Sequence, residues 1–506
     1  MVVLKDFVNR ICPKRVIGNQ NKILLGITDH SKRVLPGWVF VARKGAIEHG
    51  KHFIGEAIKN GASCIITEES LDDQSVCVIE VDKVDEKAPT LALDFYDNPE
   101  RRLNFVGITG TNGKTTTAFL LQEVLSKAGF SACYVGTLGI RLNSEGPFVH
   151  TGNTTPDPFT LAMHLSKAVL ENISYVVMEV SSHSLAQSRI KGIKFSYGIF
   201  TNLSHDHLDY HGTMESYFKA KSRLFSEYVV LSPSVCIING DDPYGKRLYN
   251  KCKATSKEAY TYGFDWRNSC AGKNMQCSLG GMNLFVKFDN YMNYAISTPF
   301  IGVHNAYNIL STITIAKMLA INPDCLKQSL IIVNPVPGRM ERIIVDSKAQ
   351  PHVFVDYAHT PSGVEAVLKT LRGLTKGRLI GVLGCGGNRD PFKREIMGGL
   401  LANLCDVAIL TQDNPRDEDP ERILKVMERG ALRMSAEYDG KRGVLKIEDR
   451  FEAIKFAISN SIPKDVVVIL GKGHEDYQLI RGVKYPFNDR KVARQILEMH
   501  SFKELL

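Results

Sequence analysis

The stretch LNFVGITGTNGKTTTAFLLQEVLSKAG, residues 103–129, combines an apolar run, a glycine-rich turn and a helical pattern. The apolar run ends at Thr109, and apolar residues recur at helical spacing from Phe119 until Gly129 supplies a stop. Gly110 and Gly113 allow the backbone to curl, so that successive N–H groups point at one anion beside the positive end of the helix. The stretch therefore predicts a phosphate-binding loop between a strand and a helix.

Two side chains after this loop have the chemistry that nucleotide phosphates require. Lys114 would reach the outer phosphates as a point charge, and the Thr115 hydroxyl is placed to bind a phosphate-bound Mg²⁺. The pattern departs from GxxxxGK[ST], because Ile108 stands where the first glycine is expected. An ordinary glycine turn is the alternative, but the flanking strand and helix favour nucleotide binding.

Composition predicts a globular protein without a nucleic-acid partner. The 506 residues are 44% hydrophobic and 23% charged, and this length suggests about three domains. The net charge of +9 is scattered with no run of five basic residues, which favours small anionic substrates over nucleic acid. The eleven cysteines form no CxxC pair, and neither a signal sequence nor an 18-residue apolar segment occurs. We therefore expect reduced thiols, no membrane insertion and a cytoplasmic location.

Alternation of apolar runs with helical patterns predicts an α/β protein of three domains. Residues 1–100 form a small α/β domain, residues 101–336 a central domain with a parallel sheet, and residues 337–506 a doubly wound, Rossmann-like domain. A stiff turn at residues 335–338 separates the last two. Residues 251–298 lose the alternation and predict a β-rich insertion.

Polar residues follow two apolar runs of the central domain, where parallel sheets collect their ligands. Glu179 ends one run and could bind Mg²⁺, and His207 follows the next as a second candidate through a neutral imidazole nitrogen. A lone Glu or His is more often solvated or a helix cap. Two such strand ends beside one phosphate loop favour metal and substrate binding.

The helical pattern at residues 214–225 places Lys221 within an apolar stripe and Lys219 on the polar side. A lysine on an apolar face loses hydration and its pKa falls, so part of it is a free amine that can add CO₂ to form a carbamate. This carbamate is an anion able to bind Mg²⁺. From periodicity alone, a lysine whose head group reaches water remains the favoured interpretation.

Ten segments, in order along the whole chain, resemble the Mur ligases, the ATP-dependent amino-acid ligases of peptidoglycan synthesis. The segments are GITGTNGKTTT, HTGNTTPD, MEVSSHSLAQSR, FTNLSHDHLDYHGTMESYFKAK, GVHNAYN, PGRME, VDYAHTP, GCGGNRD, DNPRDEDP and LGKGHED. The resemblance implies an N-terminal UDP-binding domain, a central ATPase domain and a C-terminal amino-acid domain. It also implies that meso-diaminopimelate is added to UDP-N-acetylmuramoyl-L-alanyl-D-glutamate through an acyl phosphate formed with ATP.

The resemblance assigns roles residue by residue. The reacting residues would be Lys114, Glu179, His207 and Lys221, and Mg²⁺ would be held by Thr115, Glu179, His207 and the carbamate on Lys221, which becomes the favoured interpretation. The ATP-binding residues would be Gly110, Thr111, Asn112, Gly113, Lys114, Thr115, Thr116, Asn305, Arg339, Asp356 and His359. The UDP-sugar dipeptide would contact Ser31, Asn153, Thr154, Thr155, Ser181, Gln187 and Arg189. Diaminopimelate would contact Arg389, Asp413, Asn414, Pro415, Arg416, Gly471 and Glu475. Asn388 departs from the family pattern, which has an aspartate there.

Three alternatives remain. A lysine-adding ligase of the same scaffold is disfavoured by the DNPR at residues 413–416, and a folylpolyglutamate synthetase by HTGNTTPD and GKGHED. A non-catalytic nucleotide-binding regulator would not need Lys114, Glu179, His207 and Lys221 together. We expect a monomer.

Overall fold

The computed structural model describes residues 2–45, 48–71, 75–288, 292–346, 350–436 and 443–503. It divides into two compact units, the first made of Met1–Tyr262 and Thr314–Leu319 and the second of Gly263–Ile313 and Ala320–Leu506. These units do not follow the boundaries drawn from the sequence, so the three-domain division remains a prediction. None of the helices in the described ranges combines the length and apolar character that a membrane crossing requires.

The N-terminal part of the first unit is a small α/β structure. Its five-stranded sheet is parallel except for one edge pair, and a two-stranded ribbon joins Val2–Val3 to Ile23–Leu24. In spatial order the five strands are Arg15–Ile17, Cys77–Glu80, Cys64–Thr67, Trp38–Val41 and Gly26–Thr28. The accompanying helices are Leu4–Ile11, Ile54–Lys59 and Val84–Phe95, with short 3-10 turns at Ser31–Arg33, Gly50–Phe53 and Pro99–Arg102.

The larger sheet of the first unit carries the phosphate loop. Seven strands follow one another in space, and each neighbouring pair is parallel except the first. They are Gly139–Arg141, Ala132–Gly136, Tyr175–Glu179, Asn104–Thr109, Tyr197–Phe200, Val235–Asn239 and Glu258–Gly263. The helices are Lys114–Lys127, Pro158–Leu170, Ser182–Ala186, Leu208–His211, Met214–Arg223 and Pro243–Ala254, with a π-turn at Leu224–Tyr228.

The β-rich insertion predicted for residues 251–298 is confirmed only in part. Its first residues end the helix Pro243–Ala254, and Glu258–Gly263 is a parallel strand paired with Val235–Asn239. The later strands Cys270–Ser278, Gly281–Phe288 and Met292–Thr298 are antiparallel. Residues 289–291 of the segment lie outside the described residues. The prediction failed at its start because a short strand next to a polar helix gives little periodic signal.

A six-stranded sheet with helices on both faces dominates the second unit. Alternate residues of its strands enter two separate cores, with Val466 and Val468 on one face and Val467 and Ile469 on the other. Its strands, in spatial order, are Glu341–Ile343, His352–Asp356, Val466–Leu470, Leu379–Leu383, Val407–Leu410 and Gly443–Lys446, all parallel except the first pair. This confirms the predicted doubly wound fold, since burial on both faces explains the near-continuous apolar runs.

The remaining elements of the second unit are mostly helices. Its helices are Val303–Met318, part of which belongs to the first unit, Pro323–Ile331, Pro361–Leu374, Phe392–Leu404, Pro420–Ala436, Arg450–Ser459 and Asp489–Lys503. A hairpin joins Tyr477–Ile480 to Val483–Pro486. All eleven cysteines are free, and Cys64, Cys236, Cys385 and Cys405 are buried.

Candidate functional site

The phosphate loop lies between the strand Asn104–Thr109 and the helix Lys114–Lys127, as the sequence predicted. Gly110 has φ +152°, and a Cβ there would lie 1.9 Å from the Thr201 hydroxyl oxygen. Gly113 caps the helix with φ +86°, in the left-handed region that favours glycine. The backbone path of this loop therefore depends on both glycines.

The loop is fixed by the residue that follows the neighbouring strand. Thr111 N donates to the Asn202 carbonyl oxygen at 2.9 Å, and Asn112 N donates to Asn202 Oδ1 at 3.0 Å. The prediction that successive loop amides point at one anion is therefore wrong at these two residues, because Asn202 already accepts their hydrogen bonds. The Asn202 contacts hold the loop in a fixed shape beside the helix N-terminus.

Glu179 is a fully buried carboxylate surrounded by neutral donors. Its Oε1 accepts hydrogen bonds from the Tyr134 hydroxyl at 2.5 Å and Thr137 N at 2.9 Å. Its Oε2 accepts from the hydroxyls of Thr115 at 3.0 Å and Thr137 at 3.1 Å. Among the described residues, no Lys, Arg or His forms an ion pair with it. A buried carboxylate that has no ion pair within the described part of the chain and is hydrogen-bonded to Thr115 fits the binding of a divalent cation.

Two lysine ammonium groups share one carbonyl oxygen of the loop. Lys114 Nζ donates to the Gly110 oxygen at 2.8 Å and to the Thr111 oxygen at 2.9 Å. Lys221 Nζ donates to the same Gly110 oxygen at 2.7 Å and lies 4.6 Å from the centre of the Tyr217 ring. The structure thus brings Lys221 to the phosphate loop.

Lys221 is the buried lysine of its helix and Lys219 is exposed, which confirms the predicted helical phase. Burial lowers the pKa of the Lys221 ammonium well below its ordinary value, and the Lys114 cation lowers it further, against an opposing effect of Asp206. The interpretation that its head group reaches water is wrong, because 1% of the residue is exposed. A neutral amine at this position is the form that reacts with CO₂.

His207 lies at the start of the short helix Leu208–His211, with φ +53°. Its ring lies 5.0 Å from the His183 ring and 6.1 Å from the Tyr217 ring. Burial lowers the pKa of His207, Asp206 opposes this change, and Lys114 and Lys221 reinforce it. The neutral imidazole that results is the form that binds metal ions.

The metal site predicted from the sequence would have four donors of mixed type. No cluster of three His, Cys, Asp or Glu side chains with metal-binding geometry occurs among the described residues. The predicted set contains two such residues, Glu179 and His207, and takes its other donors from the Thr115 hydroxyl and a carbamate on Lys221. Oxygen donors predominate in it, which suits Mg²⁺.

A hydrogen-bonded group continues from Glu179 toward the predicted dipeptide site. The Thr155 hydroxyl donates to the Glu179 carbonyl oxygen at 2.9 Å and accepts from Ser181 N at 3.0 Å. Arg189 NH1 donates to the Thr155 carbonyl oxygen at 3.3 Å, and Arg189 Nε donates to Gln187 Oε1 at 2.7 Å. The structure thus brings together four of the residues that the resemblance assigned to the dipeptidyl sugar.

The other residues assigned to the UDP-sugar are more dispersed. Thr154 shares a 3.1 Å hydrogen bond with the Thr137 hydroxyl, next to Glu179. Asn153 is exposed, and its carbonyl oxygen accepts from the Thr151 hydroxyl. Ser31 lies in the five-stranded part and donates to Glu56 Oε2 at 2.5 Å.

In the second unit, the predicted nucleotide residues form a compact group around Asp356. Its carboxylate accepts from Met340 N and Ala358 N, both at 2.7 Å. Burial raises the pKa of Asp356, and the Arg339 guanidinium opposes this rise. The Arg339 guanidinium lies 4.5 Å from the centre of the Tyr357 ring, which also contacts His359 at 4.6 Å.

Asn305 is separate from this group in its hydrogen bonding. It is buried in the helix Val303–Met318, donates to the Ile301 oxygen at 2.9 Å and accepts from Asn308 Nδ2 at 3.2 Å.

The predicted amino-acid residues gather at the ends of two parallel strands. Asp413 and Asn414 follow Val407–Leu410, and Gly471 and Glu475 follow Val466–Leu470. Asn414 Nδ2 donates to Glu475 Oε2 at 2.8 Å, and a Cβ on Gly471 would lie 2.5 Å from Asp413 Oδ2. These four residues therefore form one cluster.

Arg416 and Arg389 differ in how the protein holds them. Arg416 NH1 donates to the Gly387 carbonyl oxygen at 2.7 Å, and its backbone, with φ +52°, pairs with Ile480 and accepts from Arg481 N at 2.7 Å. Pro415 is buried beside it, whereas Arg389 is exposed. Asn388, the departure from the family pattern, adopts φ +50°, a conformation that asparagine tolerates well.

Sequence reasoning missed three residues of these clusters. Tyr134 and Thr137, which hold Glu179, lie in and just after the strand Ala132–Gly136. The rule that ligands collect at strand ends would have found Thr137. Lys472 contacts both Asn414 and Glu475, but a single lysine in a glycine-rich loop gives no periodic signal of burial.

A glycine loop between a parallel strand and a helix, with a buried carboxylate and two lysines beside it, is typical of a P-loop nucleotide-binding protein. The model of the Mur ligase middle domain matches residues 108–316, and that of the Mur ligase glutamate ligase domain matches residues 338–473. The chain belongs to the Mur ligase family.

Its relatives match over nearly the full length. A protein of Aquifex aeolicus (strain VF5) named UDP-N-acetylmuramoyl-L-alanyl-D-glutamate--2,6-diaminopimelate ligase is 43% identical over 94% of each chain. A protein of Geobacillus kaustophilus (strain HTA426) with the same name is 39% identical over 94% of this chain and 95% of its own. The resemblance stated from the sequence is thus confirmed.

Solved structures agree with this assignment. A structure of a UDP-N-acetylmuramoyl-L-alanyl-D-glutamate--2,6-diaminopimelate ligase matches with TM-score 0.65 and 29% identity, over 98% of this chain and 99% of that one. A structure of MurF from Acinetobacter baumannii matches with TM-score 0.70 and 16% identity, over 98% of both chains, and supports the fold alone.

Proposed function

We propose that this chain is the ATP-dependent ligase that adds meso-diaminopimelate to UDP-N-acetylmuramoyl-L-alanyl-D-glutamate. The observation that carries the proposal is 43% identity over 94% of the chain to a relative with that name. The reaction fits the site, because an acyl phosphate requires a nucleotide loop, fixed cations and a buried acidic group close together. A lysine-adding ligase, a folylpolyglutamate synthetase and a non-catalytic regulator are the alternatives.

Mg²⁺ and ATP are the groups that this activity requires. Thr115, Glu179, His207 and carbamylated Lys221 would hold Mg²⁺, which when bound neutralises charge on the phosphate oxygens. Carbamylation is supported by the burial of Lys221 and by the ammonium of Lys114 at the same carbonyl oxygen. A carbamate there would pair with the Lys114 cation instead of opposing it.

The protein's own residues then position and stabilise the reacting groups. Lys114 supplies a fixed positive charge near the transferred phosphoryl group, and Asn202 keeps the loop in place by two hydrogen bonds. Thr155, Ser181, Gln187 and Arg189 would orient the glutamyl carboxylate of the dipeptide for attack on the γ-phosphoryl group of ATP, with ADP as the leaving group. The amine of the second substrate then attacks the carbonyl carbon of the acyl phosphate; phosphate leaves, and the amine proton is released to solvent.

The remaining assignments are also proposals. Asn153, Thr154 and Ser31 would contact the UDP-sugar, and Asp413, Asn414, Arg416, Gly471, Glu475 and Arg389 the diaminopimelate. Asn305, Arg339, Asp356 and His359 would contact ATP. A cytoplasmic location is proposed because all three substrates are small soluble molecules, and a monomer is proposed as well.

Phosphate release tests the function directly. The purified protein is incubated with ATP, Mg²⁺ and the UDP-sugar dipeptide, and each of meso-diaminopimelate, L-lysine and L-ornithine is added separately. We expect turnover that depends on the dipeptide and is fastest with diaminopimelate. Preference for lysine would support the lysine-adding ligase, and no turnover with any amino acid would support the regulator.

A further inference from the structure

Lys472 is a fully buried lysine beside the proposed amino-acid site, and no step proposed above uses it. Its Nζ donates to Asn414 Oδ1 at 3.1 Å and to Glu475 Oε2 at 3.1 Å. Its side chain is 0% exposed, whereas that of Glu475 is 20% exposed. The lysine is therefore more deeply buried than the carboxylate.

Lys472 and the Leu479 backbone N–H together determine which way the Asn414 amide faces. Asn414 Oδ1 accepts from Lys472 Nζ and from Leu479 N, the second at 2.9 Å. Because an ammonium has only donors, it cannot face the amide NH₂ group. The Asn414 Nδ2 atom is thereby turned to Glu475, whose Oε2 it reaches at 2.8 Å.

Both donors meet the same oxygen of Glu475. Oε2 accepts from Asn414 and Lys472, and this fixes the plane of the carboxylate and the direction of Oε1. A carboxylate held by two donors on one oxygen can present the other oxygen to a ligand cation.

We propose that Lys472 is a positioning residue for diaminopimelate, which orients Asn414 and Glu475 so that Glu475 receives the ammonium of the distal amino-acid head. This inference rests on the proposed function and names a residue through which the chain selects that substrate.

The formal charges around the cluster support this role. Lys472, Arg416 and the exposed Arg389 are positive, and Glu475 and Asp413 are negative, while the buried pair of Arg450 and Asp489 interacts electrostatically with both carboxylates. A site that offers charged groups of both signs suits the distal head of diaminopimelate, which carries one ammonium and one carboxylate. The side chain of lysine ends in an ammonium alone and would leave the positive groups without an anion.

A double-mutant cycle tests whether Lys472 acts through Glu475. The variants are Lys472→Met, Glu475→Gln and the double variant, with Lys484→Met as the matched control. Lys484 is exposed and lies 4.2 Å from the Tyr477 ring, whose centre is 5.7 Å from Lys472 Nζ. The measurement is kcat and KM for diaminopimelate at saturating ATP and UDP-sugar dipeptide.

We expect Lys472→Met to lower kcat/KM by about 30-fold or more, mainly through KM, since one partner of a buried charge pair is removed. The kcat/KM of the double variant should lie within about twofold of that of Glu475→Gln. A difference of that size is the usual scatter when the effects of two mutations are compared. Lys484→Met should match the wild type. Effects of the two single changes that multiply in the double variant would overturn the proposal.

The pH profile provides a readout that a loss of packing would not change. Burial raises the pKa of Glu475, and Lys472 opposes this rise; Asp413 adds to it. Tyr357, Tyr477 and Arg450 are the other titratable groups influenced by this carboxylate. Removal of Lys472 should raise the pKa of Glu475 further, so the carboxylate is protonated at a higher pH. The KM defect of Lys472→Met should therefore shrink as the pH is raised, and a defect of constant size would overturn the proposal.

The controls separate this inference from the proposed function. If Lys472→Met does not fold, as judged by its Tm, the comparison of the double variant with Glu475→Gln still decides, since the double variant leaves no unpaired charge. A wild-type protein without diaminopimelate turnover would refute the proposed function and this inference together. An active wild type with a fully active Lys472→Met variant would refute the inference alone.

Discussion

The carbonyl oxygen of Gly110 accepts hydrogen bonds from two lysines, an arrangement that two fixed cations would not favour. The conflict is smaller when Lys221 is a neutral amine, which is the direction in which burial shifts its pKa. A carbamate on Lys221 would turn the repulsion into attraction. Because the two lysines contact the same oxygen but have different proposed roles, replacing each lysine separately can distinguish those roles.

Lys221→Ala should abolish turnover, and added formate or acetate should restore part of it. The reason is that a small carboxylate can occupy the space of the lost carbamate and supply its negative charge. The measurement is phosphate release with and without the carboxylate. Lys219→Ala is the control, because Lys219 is exposed on the same helix. Normal activity in Lys221→Ala together with loss of activity in Lys219→Ala would contradict the assignment.

Lys114→Ala should lower kcat by about 100-fold or more, because its charge matters most when negative charge spreads over the transferred phosphoryl group. Affinity for ATP should change less than kcat. Kinetics at saturating ATP, with the nucleotide Kd measured separately, distinguish the two effects. Weaker ATP binding with an unchanged kcat would show that Lys114 serves only binding.

At the scale of single elements, the strand ends set the positions of the site. Thr109, Glu179 and Thr201 stand at or directly after neighbouring parallel strands, and the hydrogen bonds of the phosphate loop run between those ends. The Thr201 hydroxyl donates to the Asn112 carbonyl oxygen at 2.6 Å, so it occupies the space that a side chain on Gly110 would need.

Gly110→Ala should weaken nucleotide binding by at least about tenfold, or about 1.4 kcal/mol, because its Cβ would displace Thr201 and open the loop. Gly129→Ala is the matched control at the other end of the same helix. Gly129 also has a positive φ of +87°, but a Cβ there meets no atom within 4 Å. We expect it to cost about 1 to 2 kcal/mol of stability and to leave nucleotide affinity unchanged. Calorimetric Kd and Tm values for both variants test this, and equal nucleotide affinities would contradict it.

The sequence predicted those parts of the fold and site that repeat a local pattern. The phosphate loop between its strand and helix and the buried phase of Lys221 follow from apolar runs and helical spacing, and both are found. Contacts that join residues far apart in the chain have no such signal. Asn202 accepts hydrogen bonds from two backbone amides of a loop that is 90 residues away in the sequence. Lys472 donates a hydrogen bond to Asn414, which is 58 residues away in the sequence. Their positions are determined by the order of strands in a sheet, which periodicity does not give.

At the scale of the whole molecule, the central question is which amino acid the chain adds. Lysine and diaminopimelate differ only at the distal end, where diaminopimelate has a second carboxylate. The candidate group for that carboxylate is Arg416, whose guanidinium is held by the Gly387 carbonyl oxygen and whose backbone is paired on both sides of Ile480. The helix that follows accounts for other residues of the segment, since Asp419 accepts from Glu421 N and Pro420 begins the helix. It does not account for Arg416.

Arg416→Ala should therefore discriminate between the two substrates. A guanidinium can bind a carboxylate through two hydrogen bonds, and its loss leaves that anion unpaired in a largely desolvated site. We expect a cost of about 2 to 5 kcal/mol, or roughly 30-fold to several thousand-fold in kcat/KM for diaminopimelate. L-Lysine, which has no distal carboxylate, should be affected far less. The measurement is kcat/KM for both amino acids in the wild type and in Arg416→Ala. Arg422→Ala is the control, because Arg422 is an exposed arginine in the first turn of the next helix. Equal proportional losses of kcat/KM for the two amino acids, or a wild type that prefers lysine, would show that Arg416 does not bind the distal carboxylate.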